Sequence, residues 1–285
     1  MKVSVLIPTL GRVDEVKNII GQLLLQTRRP DEIVIVDQNN PKLEELDQFL
    51  KSEPLVKHFH YDEPGVCNNY NRCLKHSSGE VVLYLDDDMS IPNTLIESHL
   101  KNYQVKGIVG VAGGVRQPNG DLDPNAALKV GRFDRISGRV FANFNSQKRQ
   151  DVVFGPGGNM SYLRETLLSV GGFDEGFTGN AYFFEPDLGL RVVELGGRII
   201  FDPETMADHL MAARGGCRIQ SKSEHTYFFV KNGIRLYRRH GVAALTPVFV
   251  ARQIAYVIAK SVYNLDPSIG FEGMLGVFSG LSDTR

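Results

Sequence analysis

The first half of the chain alternates apolar runs with segments in which apolar residues recur at helical spacing. The runs, several of them rich in β-branched residues, lie at 2–7, 32–36, 56–61 and 81–85. The intervening segments with apolar residues every three or four positions lie at 13–24, 43–50 and 68–76. Strand–helix–strand units of this length predict an α/β fold with a mostly parallel sheet and helices on both of its faces.

Polar side chains follow three of these predicted strands at the points where the strands end. Thr9 closes the first run, Asp37 the second, and Asp86, Asp87 and Asp88 the fourth. Ligands bind at the carboxyl ends of such strands, so we expect these side chains to meet at one mouth. Neighbouring carboxylates repel one another unless a cation neutralises them, and Mg²⁺ and Mn²⁺ prefer oxygen ligands. The alternative is a solvated acidic turn that caps the following helix.

Composition excludes several classes of protein. The 285 residues, 42% hydrophobic and 23% charged, suit one large globular domain or one domain with an appendage. A net charge of −1 gives no electrostatic basis for a nucleic-acid partner, and we expect none. Three cysteines without metal-site spacing predict no disulfide framework. The chain opens on a strand pattern without a signal-peptide arrangement, which predicts a cytoplasmic location.

The turn after the first strand argues against two common nucleotide-binding classes. Its sequence, PTLGR at 8–12, has a single glycine, whereas a dinucleotide-binding turn needs several so that backbone amides can face a pyrophosphate. The chain also has no Gly-Lys-Ser/Thr phosphate loop. Hydride transfer and P-loop chemistry are therefore disfavoured.

Eight segments together carry a resemblance to the inverting family 2 glycosyltransferases. They are VLIPT (5–9), IVD (35–37), GVCNNYN (65–71), GEVVLYLDDD (79–88), GPGGNM (155–160), GGFDE (171–175), EPDLGLR (185–191) and His209. The resemblance covers residues 3 to about 210. It implies the A-type glycosyltransferase fold, a Rossmann-like, mostly parallel mixed sheet flanked by helices.

The resemblance also implies a donor site for a UDP-, dTDP- or GDP-linked sugar with Mn²⁺ or Mg²⁺. In the Asp-x-Asp pair, Asp88 would hold the metal and Asp86 would reach the ribose or the sugar, with His209 completing the metal shell. A turn residue bonded to its own backbone is the alternative for Asp37. The residues implied as nucleotide-sugar contacts are Pro8, Thr9, Arg12, Asp37, Asn71, Asp86 and Asp87.

Glu185 is implied as the catalytic base of an inverting transfer of a single sugar. The family usually has aspartate at this position, so Glu185 followed by Pro186 is a departure. The other interpretation is that both residues begin a helix over 187–195, with the acid complementing the helix dipole. On the acceptor side, Gly158, Asn159 and Asp174 are the implied contacts to a glycan or lipid-linked acceptor. A sugar-nucleotide pyrophosphorylase and a non-catalytic nucleotide- or carbohydrate-binding module are the alternative functions.

The tail departs from the alternating pattern. We expect a catalytic domain over 1–214, divided near 110 into a nucleotide-sugar half and an acceptor half, and a helical extension over 215–285. Residues 243–262 are long enough to cross a bilayer, but the central Arg252 would cost about 3 kcal/mol there. Two alternatives stay open: a helix packed on the catalytic domain, or one in peripheral contact with the inner face of the membrane. A homodimer is a further expectation.

Overall fold

The computed structural model describes residues 1–118, 129–216 and 221–283. The strands are β1 (Val3–Thr9), β2 (Glu32–Asp37), β3 (Val56–His60), β4 (Val81–Leu85), β5 (Met89–Ser90), β6 (Ile108–Arg116), β7 (Arg132–Phe133), β8 (Val140–Phe141), β9 (Gln150–Val152), β10 (Asn159–Leu163) and β11 (Arg198–His209). The helices are α1 (Val13–Leu24), α2 (Glu44–Ser52), α3 (Val66–His76), α4 (Leu95–Asn102), α5 (Arg164–Ser169), α6 (Phe184–Glu194), α7 (Lys222–His240), α8 (Thr246–Asn264) and α9 (Pro267–Ser282).

Within the described residues the main sheet has nine strands, in the order β3-β2-β1-β4-β10-β6-β11-β5, with β9 paired to β11. The first four strands are parallel, β10 runs antiparallel to both of its neighbours, and β11 is parallel to β6. The two short strands β7 and β8 form a separate hairpin. The expected mixed, mostly parallel sheet is therefore present.

Alternate residues of the central strands enter two separate cores because successive side chains of a strand point to opposite faces. On β1, Leu6 packs with Val34, Tyr84 and residues of the second half of the chain. Val5 packs with Ile33 on the opposite face, against residues of α1. Helices cover both faces, which explains why β2 and β4 are buried throughout and read as continuous apolar runs.

The predicted strands and helices of the first half are all found, with two informative differences near the aspartates and Glu185. The alternative in which the aspartates form a turn that caps the following helix is not found, because β5 follows Asp88 and pairs with β11, and the next helix begins only at Leu95. Asp87 therefore caps no helix. The helix expected over 187–195 begins at Phe184, so Glu185 lies inside its first turn.

An ionic network ties α6 to the C-terminal helices. Asp187 is almost fully buried and accepts hydrogen bonds from Arg191 of its own helix, at 2.9 Å, and from Arg239 of α7, at 2.8 Å. His240 Nε2 lies 2.9 Å from the same carboxylate. Asp187 thus pairs with Arg191, four residues on in the same helix, and has two further partners from α7. Because burying a charge without partners is costly, these contacts fix the position of α6 relative to α7.

The C-terminal helices pack on one another, but α8 keeps much of its surface outside. Val230 and Ile234 of α7, Phe249 and Val257 of α8 and Val277 of α9 form a small buried core. In the described part of the chain, one helical segment, Ala243–Asn264, has the length and apolar composition of a membrane span, and only 11% of its apolar window is buried. Cys67 and Cys73 are free and buried, whereas Cys217 lies outside the described residues.

Two helical glycines are expected to respond in opposite ways to substitution by alanine. A Cβ at Gly189 in α6 would lie 2.0 Å from the Val153 carbonyl oxygen, whereas one at Gly21 in α1 would meet no atom within 4 Å. We expect Gly189→Ala to destabilise the protein by about 1–3 kcal/mol through overpacking. Gly21→Ala should stabilise it by about 0.5–1 kcal/mol by reducing the freedom of the unfolded chain.

Urea unfolding of both variants and the wild type tests this expectation. Free energies of unfolding that shift in the same direction in both variants would contradict the packing described for α6.

Candidate active site

A cavity of about 280 Å³ opens at the carboxyl ends of β1 and β4. Segments distant in sequence line it; Gly157 and Gly158, just before β10, are among them because the sheet order places β10 directly beside β4. Most of the predicted site residues are in its wall, namely Pro8, Thr9, Arg12, Asp86, Asp87, Asp88, Gly158, Glu185 and His209.

Asp86, Asp88 and His209 form a group with the geometry of a metal site. One potential ligand atom from each lies within 4.8 Å of the others. His209 reaches the aspartates because the end of β11 pairs with β5, which directly follows Asp88. Asp88 Oδ1 lies 3.2 Å from His209 Nε2 and is buried without an aligned hydrogen bond, whereas Asp88 Oδ2 accepts one from the Ala212 amide at 2.9 Å. Two carboxylates and one imidazole fit a divalent cation, and the buried Asp88 Oδ1 lacks an aligned hydrogen bond that would compete with it.

The aspartates differ in pKa because their partners differ. Burial, together with the charges of Asp87 and Asp88, raises the pKa of Asp86 to about 6. Burial also opposes ionisation of Asp88, but the close contact with His209 and the charge of Arg12 lower its pKa to about 2. The contact with Asp88 in turn raises the pKa of His209. The group therefore concentrates negative charge where a cation would relieve it.

Asp87 organises the turn after β1. Its Oδ1 accepts a hydrogen bond from Arg12 Nη1 at 2.5 Å, and its Oδ2 accepts one from the Thr9 hydroxyl at 2.6 Å. Arg12 also donates from Nε to the Arg214 carbonyl at 3.0 Å, which holds the segment after β11 against the same turn. Asp87 is thus a partner of Thr9 and Arg12, and all three line the cavity wall.

Glu185 lies where this cavity meets a second one. Its Oε1 accepts a hydrogen bond from the Gly157 amide at 3.3 Å, and burial raises the pKa of its carboxyl to about 7, with a smaller contribution from Asp86. The residue two positions earlier, Phe183, has a left-handed backbone with φ of 72°, which is a strained conformation for a bulky residue and is characteristic of functional sites. Glu185 therefore both begins α6 and faces the cavity, as the two interpretations of its sequence together allow.

The second cavity, of about 470 Å³, extends from Glu185 toward the β7–β8 hairpin. Its wall is largely apolar and aromatic, with amide side chains at the rim. It includes Gln117, Val140, Asn143, Phe144, Asn145, Phe154, Tyr182 and Phe183. Glu185 belongs to the walls of both cavities.

Glycine at position 158 is explained by close approach to the aspartates. A Cβ at Gly158 would lie 2.4 Å from Asp86 Oδ2, so a larger residue would displace that carboxylate. The Asp86 amide also donates to the Gly158 carbonyl, at 3.2 Å. Gly158 therefore sets the position of Asp86. The expected contact of Gly158 with an acceptor stays a prediction.

Asp37 and Asn71 are not in the wall of this cavity, and their expected contacts with the nucleotide sugar stay predictions. Asp37 is fully buried; its Oδ1 accepts from the Asn39 amide at 2.8 Å, as in a turn residue, whereas its Oδ2 is buried without an aligned hydrogen bond, 3.5 Å from His58 Nε2. Asn71 exchanges two hydrogen bonds with the backbone of Phe173, at 2.8 and 2.9 Å, and thereby fixes the GGFDE segment.

The side chains of Asn159 and Asp174 bond to other groups of the protein, and their expected contacts with an acceptor stay predictions. Asn159 is fully buried; its Nδ2 donates to the carbonyls of Gly114 and Thr205, at 2.8 and 2.7 Å. No amide proton remains for a ligand. Asp174 accepts hydrogen bonds from Arg235 and Arg239 of α7.

Several cavity residues were not anticipated. They are Leu10, Gln38, Val66, Tyr70, Gly157, Phe184 and Gly216. Val66 and Tyr70 belong to the recognised GVCNNYN segment, but the sequence does not show which face of α3 turns toward the aspartates. Gln38 follows Asp37 directly, so a search extended one residue beyond the end of β2 would have found it.

Two solved structures share the fold of this chain. A mannosyltransferase of Pyrobaculum calidifontis, in complex with GDP-Man and Mn²⁺, superposes with a TM-score of 0.60 and 14% identity, over all of this chain and 76% of that one. GalNAc-T7 with UDP, GalNAc and Mn²⁺ has a TM-score of 0.62 and 16% identity, over 83% and 47% of the two chains. The expected A-type glycosyltransferase fold is confirmed.

The chain belongs to glycosyl transferase family 2. The family model of that description, Glycosyl transferase family 2, matches residues 4–171. A glucosyl-dolichyl phosphate glucuronosyltransferase of Haloferax volcanii is 26% identical over 223 residues, covering 73% of this chain and 69% of that protein. The O-antigen biosynthesis protein RfbC of Myxococcus xanthus is 27% identical over 225 residues, covering 73% of this chain but only 17% of that longer protein.

The raised pKa of Glu185 predicts how stability changes with pH. The unfolded chain ionises this carboxyl near the ordinary value of 4.5, whereas the folded protein does so near 7. Between these values the folded state binds more protons, so the carboxylate costs stability progressively as pH rises. Glu185→Gln removes this cost, and its stability relative to wild type should rise by on the order of 2 kcal/mol between pH 5 and 8.

Chemical denaturation across that pH range measures the difference directly. Glu63→Gln, which alters a carboxylate whose side chain is 84% exposed, is the matched control and should show little pH-dependent gain. A pH-independent difference for Glu185→Gln would contradict the burial of this carboxyl.

Proposed function

We propose that this protein is a metal-assisted, inverting glycosyltransferase that moves a single sugar from a nucleotide-diphosphate sugar to a hydroxyl of a glycan or lipid-linked acceptor. The observation that carries the proposal is the position of Glu185, a carboxylate shared by a cavity with an acidic, metal-compatible floor and a second, largely apolar cavity. This arrangement gives donor and acceptor separate places on either side of one proton acceptor.

The first cavity is the proposed donor site. Asp86, Asp88 and His209 would hold Mn²⁺ or Mg²⁺, and such an ion stabilises the negative charge that develops on a departing nucleoside diphosphate. Pro8, Thr9, Arg12 and Asp87 form the neighbouring wall, where Arg12 adds a fixed positive charge. The nucleotides named in the two solved structures support a UDP- or GDP-linked donor, and a dTDP-linked donor has the same diphosphate chemistry.

Glu185 is the proposed general base. A carboxyl with a pKa near 7 accepts a proton effectively at neutral pH, and the Gly157 amide orients one of its oxygens. The acceptor hydroxyl transfers its proton to Glu185 as its oxygen bonds to the anomeric carbon. The bond from that carbon to the diphosphate breaks on the opposite face, which inverts the anomeric configuration.

Several finer expectations from the sequence belong to this proposal. Residues 1–214 would form the catalytic domain, divided near 110 into donor and acceptor halves, and residues 215–285 the extension. The absence of a processive-synthase QxxRW motif after His209 favours transfer of one sugar, as a step of polysaccharide biosynthesis. A cytoplasmic location and a homodimer stay predictions.

Donor binding should depend on both the metal and Asp88. We expect one of UDP-, dTDP- or GDP-sugars to raise the melting temperature of the wild type only when Mn²⁺ is present, since a ligand of the folded state stabilises it by mass action. Asp88→Asn, which keeps an oxygen for the Ala212 amide, should abolish this shift. Asp62→Asn makes the same charge change at a side chain 71% exposed and should retain it. A shift that survives Asp88→Asn would place the metal elsewhere.

Turnover should depend on Glu185 while donor binding does not. We expect Glu185→Gln to reduce the rate of transfer at least ~10²-fold, the usual effect of removing a general base. The Mn²⁺-dependent thermal shift with the donor should persist. NMR of the wild-type product should show the inverted anomer. Unchanged turnover in Glu185→Gln would rule out its role as base, and binding without turnover in the wild type would favour a non-catalytic module.

A further inference from the structure

A third cavity, of about 320 Å³, lies between the β7–β8 hairpin and the C-terminal helices. Its wall includes Gly138, Arg139 and Val140 of the hairpin, Gly233 and Leu236 of α7, and Phe249 and Arg252 of α8. Val140 and Phe183 are also in the wall of the second cavity, so the two cavities lie side by side. A ligand that extends from Glu185 into this third cavity would pass Val140 and Phe183.

Two arginines give the third cavity a positive charge that no carboxylate compensates within the described residues. Arg252 donates one hydrogen bond, to the Ser137 carbonyl at 3.0 Å, and Arg139 lies 5.4 Å from the centre of the Phe141 ring. The acid of the same hairpin, Asp134, is occupied by its own turn, accepting from the Ile136 amide and the Ser137 hydroxyl at 2.9 Å each. Arginine binds phosphate through several hydrogen bonds at once, so the pair suits a phosphate group.

The outer face of α8 is apolar although it is exposed. Nine residues at helical spacing along this face are exposed, and Arg252 is the one charged residue among them. The nine are Val248, Ala251, Arg252, Ala255, Tyr256, Ile258, Ala259, Val262 and Tyr263. Ile258, Val262 and Tyr263 are 56%, 67% and 88% exposed. A helix of a globular protein normally turns its apolar stripe to the core, so an apolar outer face indicates a contact surface.

The adjoining helix extends the apolar character of this end of the molecule. Phe271 and Phe278 of α9 are 66% and 64% exposed. Helix α8 contains no carboxylate. A symmetric contact between two copies through α8 would therefore bury two arginines without a counter-charge. Tyrosines and an arginine with a long apolar stem suit the interface between lipid and water, because one end of each is polar.

We propose that Arg139 and Arg252 bind the phosphate of a lipid-linked sugar that serves as the acceptor, while α8 lies in the membrane interface. The sugar then extends through the second cavity to Glu185, and the lipid chain leaves along the apolar face of α8 into the bilayer. The assignment rests on the proposed function and narrows its acceptor from glycan or lipid to a lipid phosphate or diphosphate. The Haloferax volcanii relative, whose name includes glucosyl-dolichyl phosphate, agrees with that chemistry.

Vesicle flotation of the full chain tests the phosphate site. The vesicles are phosphatidylcholine alone, phosphatidylcholine with a few mole per cent polyprenyl phosphate, or phosphatidylcholine with the same fraction of phosphatidylglycerol. We expect the wild type to bind the polyprenyl phosphate vesicles best. The double variant Arg139→Gln with Arg252→Gln should bind them at least about tenfold more weakly, the scale of losing charged hydrogen bonds. Arg29→Gln, an exposed arginine just before β2, is the matched control and should bind like the wild type.

Three outcomes would overturn the proposal. The double variant could bind polyprenyl phosphate vesicles as well as the wild type does, which would exclude the two arginines. Phosphatidylglycerol could recruit the wild type equally well, which would indicate a general anionic surface. Inorganic phosphate at a concentration matched to the lipid could release the protein, which would indicate a soluble phosphate ligand.

A second variant tests the membrane contact separately. Ile258→Glu with Val262→Glu should prevent flotation on all three vesicles, because it places two charges in the apolar face of α8. Unchanged flotation would overturn the membrane contact. Neither this variant nor the arginine variant alters the wall of the first cavity, so both should keep the Mn²⁺-dependent donor shift. Vesicle binding without any donor shift in the wild type would instead refute the proposed function and leave a phosphate-binding membrane protein.

Discussion

Three consecutive carboxylates, two of them buried, lie at the end of β4, and the surrounding structure is arranged around their mutual repulsion. Asp87 is satisfied by Arg12 and Thr9, which fixes the turn after β1. Arg12 also lies 3.1 Å from Asp88, and the pairing of β11 with β5 brings His209 beside Asp86 and Asp88. Repulsion within so short a segment is relieved only by partners from elsewhere in the chain. These partners come from the end of β1 with the turn after it and from the end of β11.

The sequence allows much of the fold and the donor-side mouth to be predicted. The apolar runs of β1, β2 and β4 match strands buried on both faces, and residues at the ends of parallel strands necessarily meet at one edge of the sheet. Thr9 and the aspartates could therefore be placed together without knowing any side-chain contact. Glu185 was found through its family resemblance, while its elevated pKa depends on burial that only the folded structure reveals.

The sequence could not show which predicted ligand contacts are also bonded within the protein, because the bonding groups lie far away along the chain. Asp174 is taken by Arg235 and Arg239, and the amide of Asn159 by two carbonyls on β6 and β11. The second and third cavities escaped detection for a related reason, since the hairpin that forms their walls matches no motif.

The burial of Asp187 has a consequence for how such enzymes can diversify. Arg239 and His240 of α7 bind this carboxylate, which lies two residues from Glu185 on the same helix. Helix α7, which packs with α8 and α9, therefore shares one charge balance with the helix that carries the proposed base. Exchanging α7–α9 with those of a relative would leave Asp187 short of partners and disturb the geometry of the base. New acceptor preferences are more readily reached by altering single residues in the walls of the second and third cavities than by exchanging the C-terminal helices as a unit.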